Sequence, residues 1–291
     1  KVMEKLLKKD FELDLDYFIH HRPEVVDRWG TPESLVGDYS YELSEKFHEL
    51  FGPRRNPKEE LNQRHKDIAC SLQMLLEEIV FSLLGYLYKF THTENLCLAG
   101  GTFLNCLLNG KIPKNTRFKK IFVQPGAGDA GTCIGDCLYL YHNILDQPRS
   151  YTMKNAYLGT EYSDSEIEEA IKKHNLKYEH GNVEKRGAQF IAEGKIVGWF
   201  QGKMEFGPRA LGNRSILADP RSQEMKDILN FRVKHREWFR PFAPSVLHDY
   251  CGEFFDSDKS SPFMLMAYNV LPQKRDLVPA ITHVDNTGRA Q

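Results

Sequence analysis

The sequence predicts an α/β protein, and three observations carry that expectation. Two strand, glycine-rich turn and helix units follow one another between Asn95 and Asn143. Short strands and capped helices alternate after residue 153. A long amphipathic helix precedes both regions.

Residues 1–65 are charged, aromatic-rich and punctuated by Pro32, Pro53 and Pro57, so they read as irregular. A helix is expected from about His65 to Phe90, because Ile68, Leu72, Leu75, Ile79 and Leu83 recur at spacings of three and four and mark a buried face. The strand Asn95–Leu98 leads into Ala99-Gly100-Gly101-Thr102 and a helix bearing Leu104, Leu107 and Leu108. The strand Lys120–Val123 leads into Gln124-Pro125-Gly126-Ala127-Gly128-Asp129 and a small-residue helix to about Asn143. Such units place ligand contacts at the carboxyl ends of their strands.

The stretch 146–153 reads as a linker. Ser163 and Glu166 form a capping box that opens an amphipathic helix. A helix from about Val183 to Glu193 stops at Gly194, Ile196–Phe200 reads as a buried strand, and a last helix is expected from about Ser222 to Lys234 with Met225, Ile228, Leu229 and Phe231 inward.

The 291 residues suit two domains, and the net charge of −1 excludes a whole-chain electrostatic role on nucleic acid or membrane. No cysteine pair has zinc-ribbon or redox spacing; Cys133 and Cys137 share a helix face at i, i+4, and the pattern fits a reducing cytoplasm. No signal-peptide pattern is present, and the apolar run Ile79–Leu87 is too short for a bilayer, so no membrane association is expected. The chain begins at Lys1 without methionine and stops after Gly288-Arg289-Ala290-Gln291, as expected of an internal fragment.

Any anion site must therefore come from local clustering. Between Lys203 and Arg240 there are nine basic residues against five acids. Arg209 and Arg214 lie in a loop with Gly202, Gly207 and Gly212, after a strand; arginine forks match phosphate and carboxylate, and glycines let backbone N–H groups approach an anion. A solvated charged face, with the arginines paired to Glu205, Glu224 and Glu237, is the plainer alternative. In Lys234–Ser245 basic residues interleave with Trp238 and Phe239, which suits either base stacking or ordinary core packing. His283 and Asp285 alternate onto one strand face, where a structural hydrogen bond is the default. Asp129, at a glycine-rich turn, suits a metal ligand, a ligand hydroxyl or a helix N-cap.

Five runs taken together resemble the O-carbamoyltransferases of the nodulation-protein-U type: Ala99–Asn105, Phe122–Gly131, Met204–Ile216, His235–Ser245 and Thr282–Gln291. The resemblance implies the C-terminal half of an actin-like (ASKHA) domain in residues 1–147, a linker at 148–153, and a YrdC-like α/β domain, truncated at its C-terminus, in 154–291. It implies that carbamoyl phosphate and ATP form carbamoyl-adenylate, releasing pyrophosphate, and that the carbamoyl group passes to a hydroxyl-bearing acceptor. It implies catalytic roles for Lys203, Arg209, Arg214, Arg236 and Arg240. Substrate or nucleotide contacts would come from Gly100, Gly101, Asn105, Ser215, Lys234 and His283. Asp129 would hold iron, manganese or zinc at the transfer site, and magnesium would accompany ATP. The family's metal-binding histidine pair lies in an amino-terminal half absent from this sequence. His20-His21 departs from that motif in spacing and position and reads as loop histidines. An ASKHA half on its own is expected to expose apolar surface and self-associate. Two other readings stand beside this one: a hydrogenase-maturation carbamoyltransferase, whose cysteine-pair zinc fingers are absent here, and a non-catalytic nucleotide- or RNA-binding module, with near-neutral charge against nucleic acid.

Overall fold

The computed structural model describes residues 7–9, 12–19, 21–23, 43–56 and 58–291. The chain packs as two units, residues 1–92 and 93–291, and mixes helices with short strands as an α/β sequence should. His20, Pro32 and Pro57 lie outside the described residues, while His21 sits in a turn.

In the first unit β1 (Leu7–Lys9) and β2 (Glu12–Leu13) pair antiparallel. A short helix, Glu45–Phe51, interrupts the stretch that reads as irregular in sequence. The Ser44 side chain caps it by accepting from the Phe47 N–H at 3.3 Å. Its Phe51 packs with Tyr17, and around them lie Phe47, Leu50, Ile68 and Leu75. Seven residues are too few for periodicity to reveal; tertiary packing decides this helix.

The long helix runs from Gln63 to Thr91, capped by Asn62, whose side chain accepts from the His65 N–H and whose own N–H donates to His65 Nδ1. Its inner line corrects the expected one. Val80 and Leu84 are buried, whereas Leu72 and Leu83 are 55% and 44% exposed. Apolar residues occupy more than one face here, so spacing alone cannot select the packed one. By length and composition this helix also suffices to cross a bilayer, which the run Ile79–Leu87 by itself does not.

In the second unit β3 (Asn95–Leu98) and β4 (Lys120–Val123) pair in parallel, Asn95 opposite Lys120 and Leu98 opposite Val123. Both glycine turns therefore emerge from the same edge, and the Gly100 N–H donates to the Ala127 carbonyl at 2.7 Å. Asn105 caps the helix Cys106–Asn115 by accepting from the Leu108 N–H at 3.1 Å. Leu108 and Ile112 on that helix are fully buried. After β4, the helix Thr132–Tyr139 passes into a π-helical turn, Leu140–Ile144; residues 146–153 then form no regular element. Cys133 and Cys137 are both exposed and free.

Ser163 and Glu166 make the expected capping box for Asp164–Lys173. Val183–Ala192 ends before Gly194, at φ 80°. β5 (Val197–Phe200) and β6 (Arg214–Leu217) pair antiparallel, Phe200 opposite Arg214. β5 is not the buried strand its apolar run suggests. It alternates between half-buried and exposed residues, and Phe200 is 55% exposed, because the two-stranded sheet leaves one face open. The helix expected at 222–234 appears as Met225–Ile228 followed by a π-helical turn, Leu229–Val233. Met225 and Leu229 pack with Ala280, while Phe231, expected inside, is 79% exposed. Two residues beyond the inward-facing Leu229, Phe231 falls on the opposite side of the turn. β7 (Tyr268–Asn269) and β8 (Thr287–Gly288) close a core containing Phe255, Val270, Ile281 and Ala290.

Asn109 welds this unit internally. It is fully buried and donates to the Phe103 carbonyl at 2.8 Å and to the Leu265 carbonyl at 3.0 Å. Asn109→Ala strands both acceptors, and chemical denaturation is expected to show a loss of about 2 kcal/mol or more.

Candidate anion-binding site

The hairpin β5–β6 is joined by residues 201–213, which contain no regular structure but a fixed path. The Phe206 N–H donates to the Ala156 carbonyl at 2.6 Å. Gly207 lies at φ +100°, and a Cβ there would come within 2.6 Å of the Pro125 carbonyl oxygen. Only glycine satisfies both the backbone conformation and the contact. The loop thus rests on the turn after β4. Arg209 projects from it, donating from Nη2 to the Leu104 carbonyl at 3.3 Å.

Beside Arg209 lies a cavity of about 430 Å³. Arg209, Lys226, Lys234, Arg236 and Arg289 line it, together with the hydroxyls of Ser215 and Ser245. The one carboxylate among the lining residues is Asp219, and Arg221 already holds it through bonds of 2.6–3.0 Å. The cavity is therefore strongly positive. Burial pulls the Arg289 guanidinium below its ordinary pKa, and the neighbouring Arg209 charge adds to the effect. Burial and the Arg240 charge act likewise on Arg236. The Nε atoms of Arg209 and Arg289 are buried without a hydrogen-bond partner in the protein. Buried donors of this kind, beside excess positive charge, suit a phosphate or carboxylate.

Of the residues singled out in sequence, Arg209, Ser215, Lys234 and Arg236 meet at this cavity. Lys203, Arg214, Arg240 and His283 are not among its lining. Lys203 is exposed. Arg214 bonds the carbonyls of Gln201, Gly202, Asn213 and Thr160 and stacks 3.6 Å from the Phe200 ring centroid. Arg240 pairs with Glu237 at 2.8 Å. Trp238 and Phe239 are 60% and 48% exposed, so core packing does not account for them.

His283 and Asp285 do not share a strand face. They lie in a turn before β8 whose Asn286 adopts φ 64°. Thr287 links them: its hydroxyl is 3.1 Å from His283 Nδ1 and donates to Asp285 at 2.7 Å. Burial pulls the imidazole below its ordinary 6.5, outweighing the Asp285 charge.

A second cavity, about 860 Å³, opens at the turns after β3 and β4, with Gly100, Asp129, His142 and Tyr151 in its wall. Asp129 is exposed and caps no helix. No cluster of three His, Cys, Asp or Glu side chains suited to a metal occurs among the described residues. Gly101 and Asn105 lie outside this wall, the Asn105 side chain being spent on its helix cap.

Arg289 and Lys226 are cavity residues that the sequence reading did not select. Arg289 carries the signal that marks Arg209, a loop arginine beside a glycine. Lys226 lies in a helix, and its one signal is membership of the basic excess between residues 203 and 240.

These features define an α/β protein with a cavity whose wall carries an excess of cationic side chains. The family models for the carbamoyltransferase N-terminus and C-terminus match residues 38–138 and 188–291, more than half the chain. The chain belongs to the carbamoyltransferase family, a family of enzymes. It is 42% identical over 278 residues to an uncharacterised protein of Synechocystis, covering 85% of this chain and 45% of that one. It is 44% identical over 236 residues to nodulation protein NolNO of Sinorhizobium fredii, covering 79% and 35%. It is 33% identical over 196 residues to the 3'-hydroxymethylcephem-O-carbamoyltransferase of Streptomyces clavuligerus, covering 67% and 36%. The chain thus spans half or less of the length of these relatives.

Two outcomes follow from the geometry. Arg289→Met weakens inorganic phosphate binding, read by isothermal titration, by about tenfold. As pH falls below 6.5, an unfolded His283 takes up a proton before the folded one, so stability declines from 6.5 downward until the folded imidazole protonates. His283→Asn removes that slope from denaturation midpoints measured between about pH 7 and pH 5.

Proposed function

We propose that this chain is part of an ATP-dependent O-carbamoyltransferase and that its arginine cavity forms carbamoyl-adenylate. The observation that carries this reading is the convergence of five cations on one cavity, with two buried guanidinium Nε atoms lacking partners, inside the segment matched by the carbamoyltransferase C-terminus. Carbamoyl phosphate and ATP are both anions, and bringing them together requires charge neutralisation that water supplies poorly. Arg209, Arg236 and Arg289 would hold the phosphates, Lys234 the outer charge, and Ser215 a phosphate oxygen. Water cleaves carbamoyl phosphate to carbamate and inorganic phosphate; a carbamate oxygen then attacks the α-phosphorus of ATP and displaces pyrophosphate, and AMP leaves when the acceptor hydroxyl takes the carbamoyl group.

In this reading residues 1–147 belong to an ASKHA-like transfer domain and 154–291 to a YrdC-like domain, joined by 148–153. Gly100 would face the adenylate at the transfer site, with Gly101 and Asn105 shaping its loop from outside the cavity wall, and Asp129 would be one ligand of a divalent iron, manganese or zinc. The described residues do not complete that ligand set. Magnesium would accompany ATP. Lys203 and Arg240 would serve this reading from loops around the cavity, and Arg214 from the start of β6, rather than from its wall.

The test is carbamoyl-phosphate-dependent ATP–pyrophosphate exchange in the full-length protein. Arg209→Ala is expected to abolish it. Exchange at the wild-type rate in that variant removes Arg209 from the mechanism. Titration with carbamoyl phosphate and an ATP analogue separates this reading from a nucleotide-sensing module, which binds the nucleotide alone.

A further inference from the structure

The segment between β5 and β6 has Gly202, Gly207 and Gly212 at φ 45°, 100° and 106°, and Pro208 stiffens its own backbone position but not the stretch from Arg209 to Asn213. Yet it presents Arg209 in one direction. The Glu205 side chain supplies the missing constraint. A single oxygen, Oε1, accepts the N–H groups of Leu211 at 2.7 Å, Asn213 at 2.8 Å and Arg214 at 3.1 Å. These N–H groups form a concave anion nest, and the loop fills it with its own carboxylate. The bond to Leu211 closes the chain from 205 to 211 into a ring with Arg209 on its far side. Backbone contacts hold the two ends: Glu205 bridges to Tyr157, and Arg214 begins β6.

The charge state supports the same role. Burial alone would raise the Glu205 pKa; the backbone donors outweigh it and hold the carboxyl below its ordinary value, so it is an anion. It lies outside the cavity wall, so it does not compete there for the cations. It also occupies backbone donors that an incoming phosphate would otherwise find, leaving recognition to the side chains.

We infer that Glu205 is a positioning residue: its carboxylate, clasped by the Leu211, Asn213 and Arg214 N–H groups, aims Arg209 into the anion cavity. The inference rests on the proposed reading of that cavity only for its effect on binding; the effect on the loop stands apart from it.

The experiment compares Glu205→Ala and Glu205→Gln in the full-length protein. Glu205→Gln keeps an oxygen acceptor in place and guards against a variant that fails to fold. In Glu205→Ala, hydrogen-exchange protection is lost at Leu211, Asn213 and Arg214, and the Arg209 Nε–H NMR signal moves; Glu205→Gln restores both in part. Unchanged protection and an unmoved Arg209 signal in Glu205→Ala overturn the inference whether or not a ligand binds. With carbamoyl phosphate as the probe, Glu205→Ala weakens binding by up to about a hundredfold, as expected for misplacement of a binding group. Combining it with Arg209→Ala adds nothing beyond Arg209→Ala alone. Additive losses mean that Glu205 acts elsewhere and overturn the inference. A wild-type protein that protects the three amides but binds no carbamoyl phosphate overturns the proposed ligand and leaves the loop result to decide the role of Glu205.

Discussion

Three guanidinium groups, those of Arg209, Arg236 and Arg289, are held part-buried at one cavity where no free carboxylate answers them. Burying like charges together is costly, and the surrounding structure is arranged to bear that cost. Arg209 donates to a backbone carbonyl, Arg236 to the buried Asn230 at 2.7 Å, and Arg289 bonds Cys106. Arg236 also lies 4.7 Å from the centre of the Phe242 ring, whose face attracts the cation. These contacts orient the groups without cancelling their charge. The remaining positive field is not offset by any unpaired carboxylate in the cavity wall.

Backbone contacts place that cluster. Gly207 meets the Pro125 carbonyl, and Gly100 donates to Ala127, so the arginine loop and both glycine turns of the parallel pair form one continuous surface. Asn230 performs the parallel service for the second basic run. Its amide donates to the Trp238 and Arg240 carbonyls at 3.1 and 2.9 Å. Neither loop has a regular element of its own over these residues; in each, a polar side chain, Glu205 or Asn230, ties several backbone groups together beside those contacts. Membership of the carbamoyltransferase family gives such a surface a chemical context, since both family matches contribute to it.

The α/β class, the parallel units and most helix ends were legible in the sequence because they rest on local rules. The capping box at Ser163 and Glu166, the stop at Gly194 and the boundaries of β3 and β4 each depend on neighbours a few residues away. The positive stretch from 203 to 240 was legible too, since charge imbalance survives any fold. Burial was less so. Leu72, Leu83, Phe200 and Phe231 are apolar yet exposed, because which face is covered depends on partners distant in the chain.

The same division runs through the site. Sequence by itself determined that an anion is expected here and that glycines and arginines of one loop would meet it. Only the tertiary structure decided which cations share a cavity. It brought in Arg289 from the chain's end, turned Arg214 onto carbonyls and Phe200, and tied His283 to Asp285 through Thr287. A side chain's type fixes what it can bond, but its direction is set by the folded partners it meets, from four residues away for His283 with Thr287 to 105 for Arg209 with the Leu104 carbonyl.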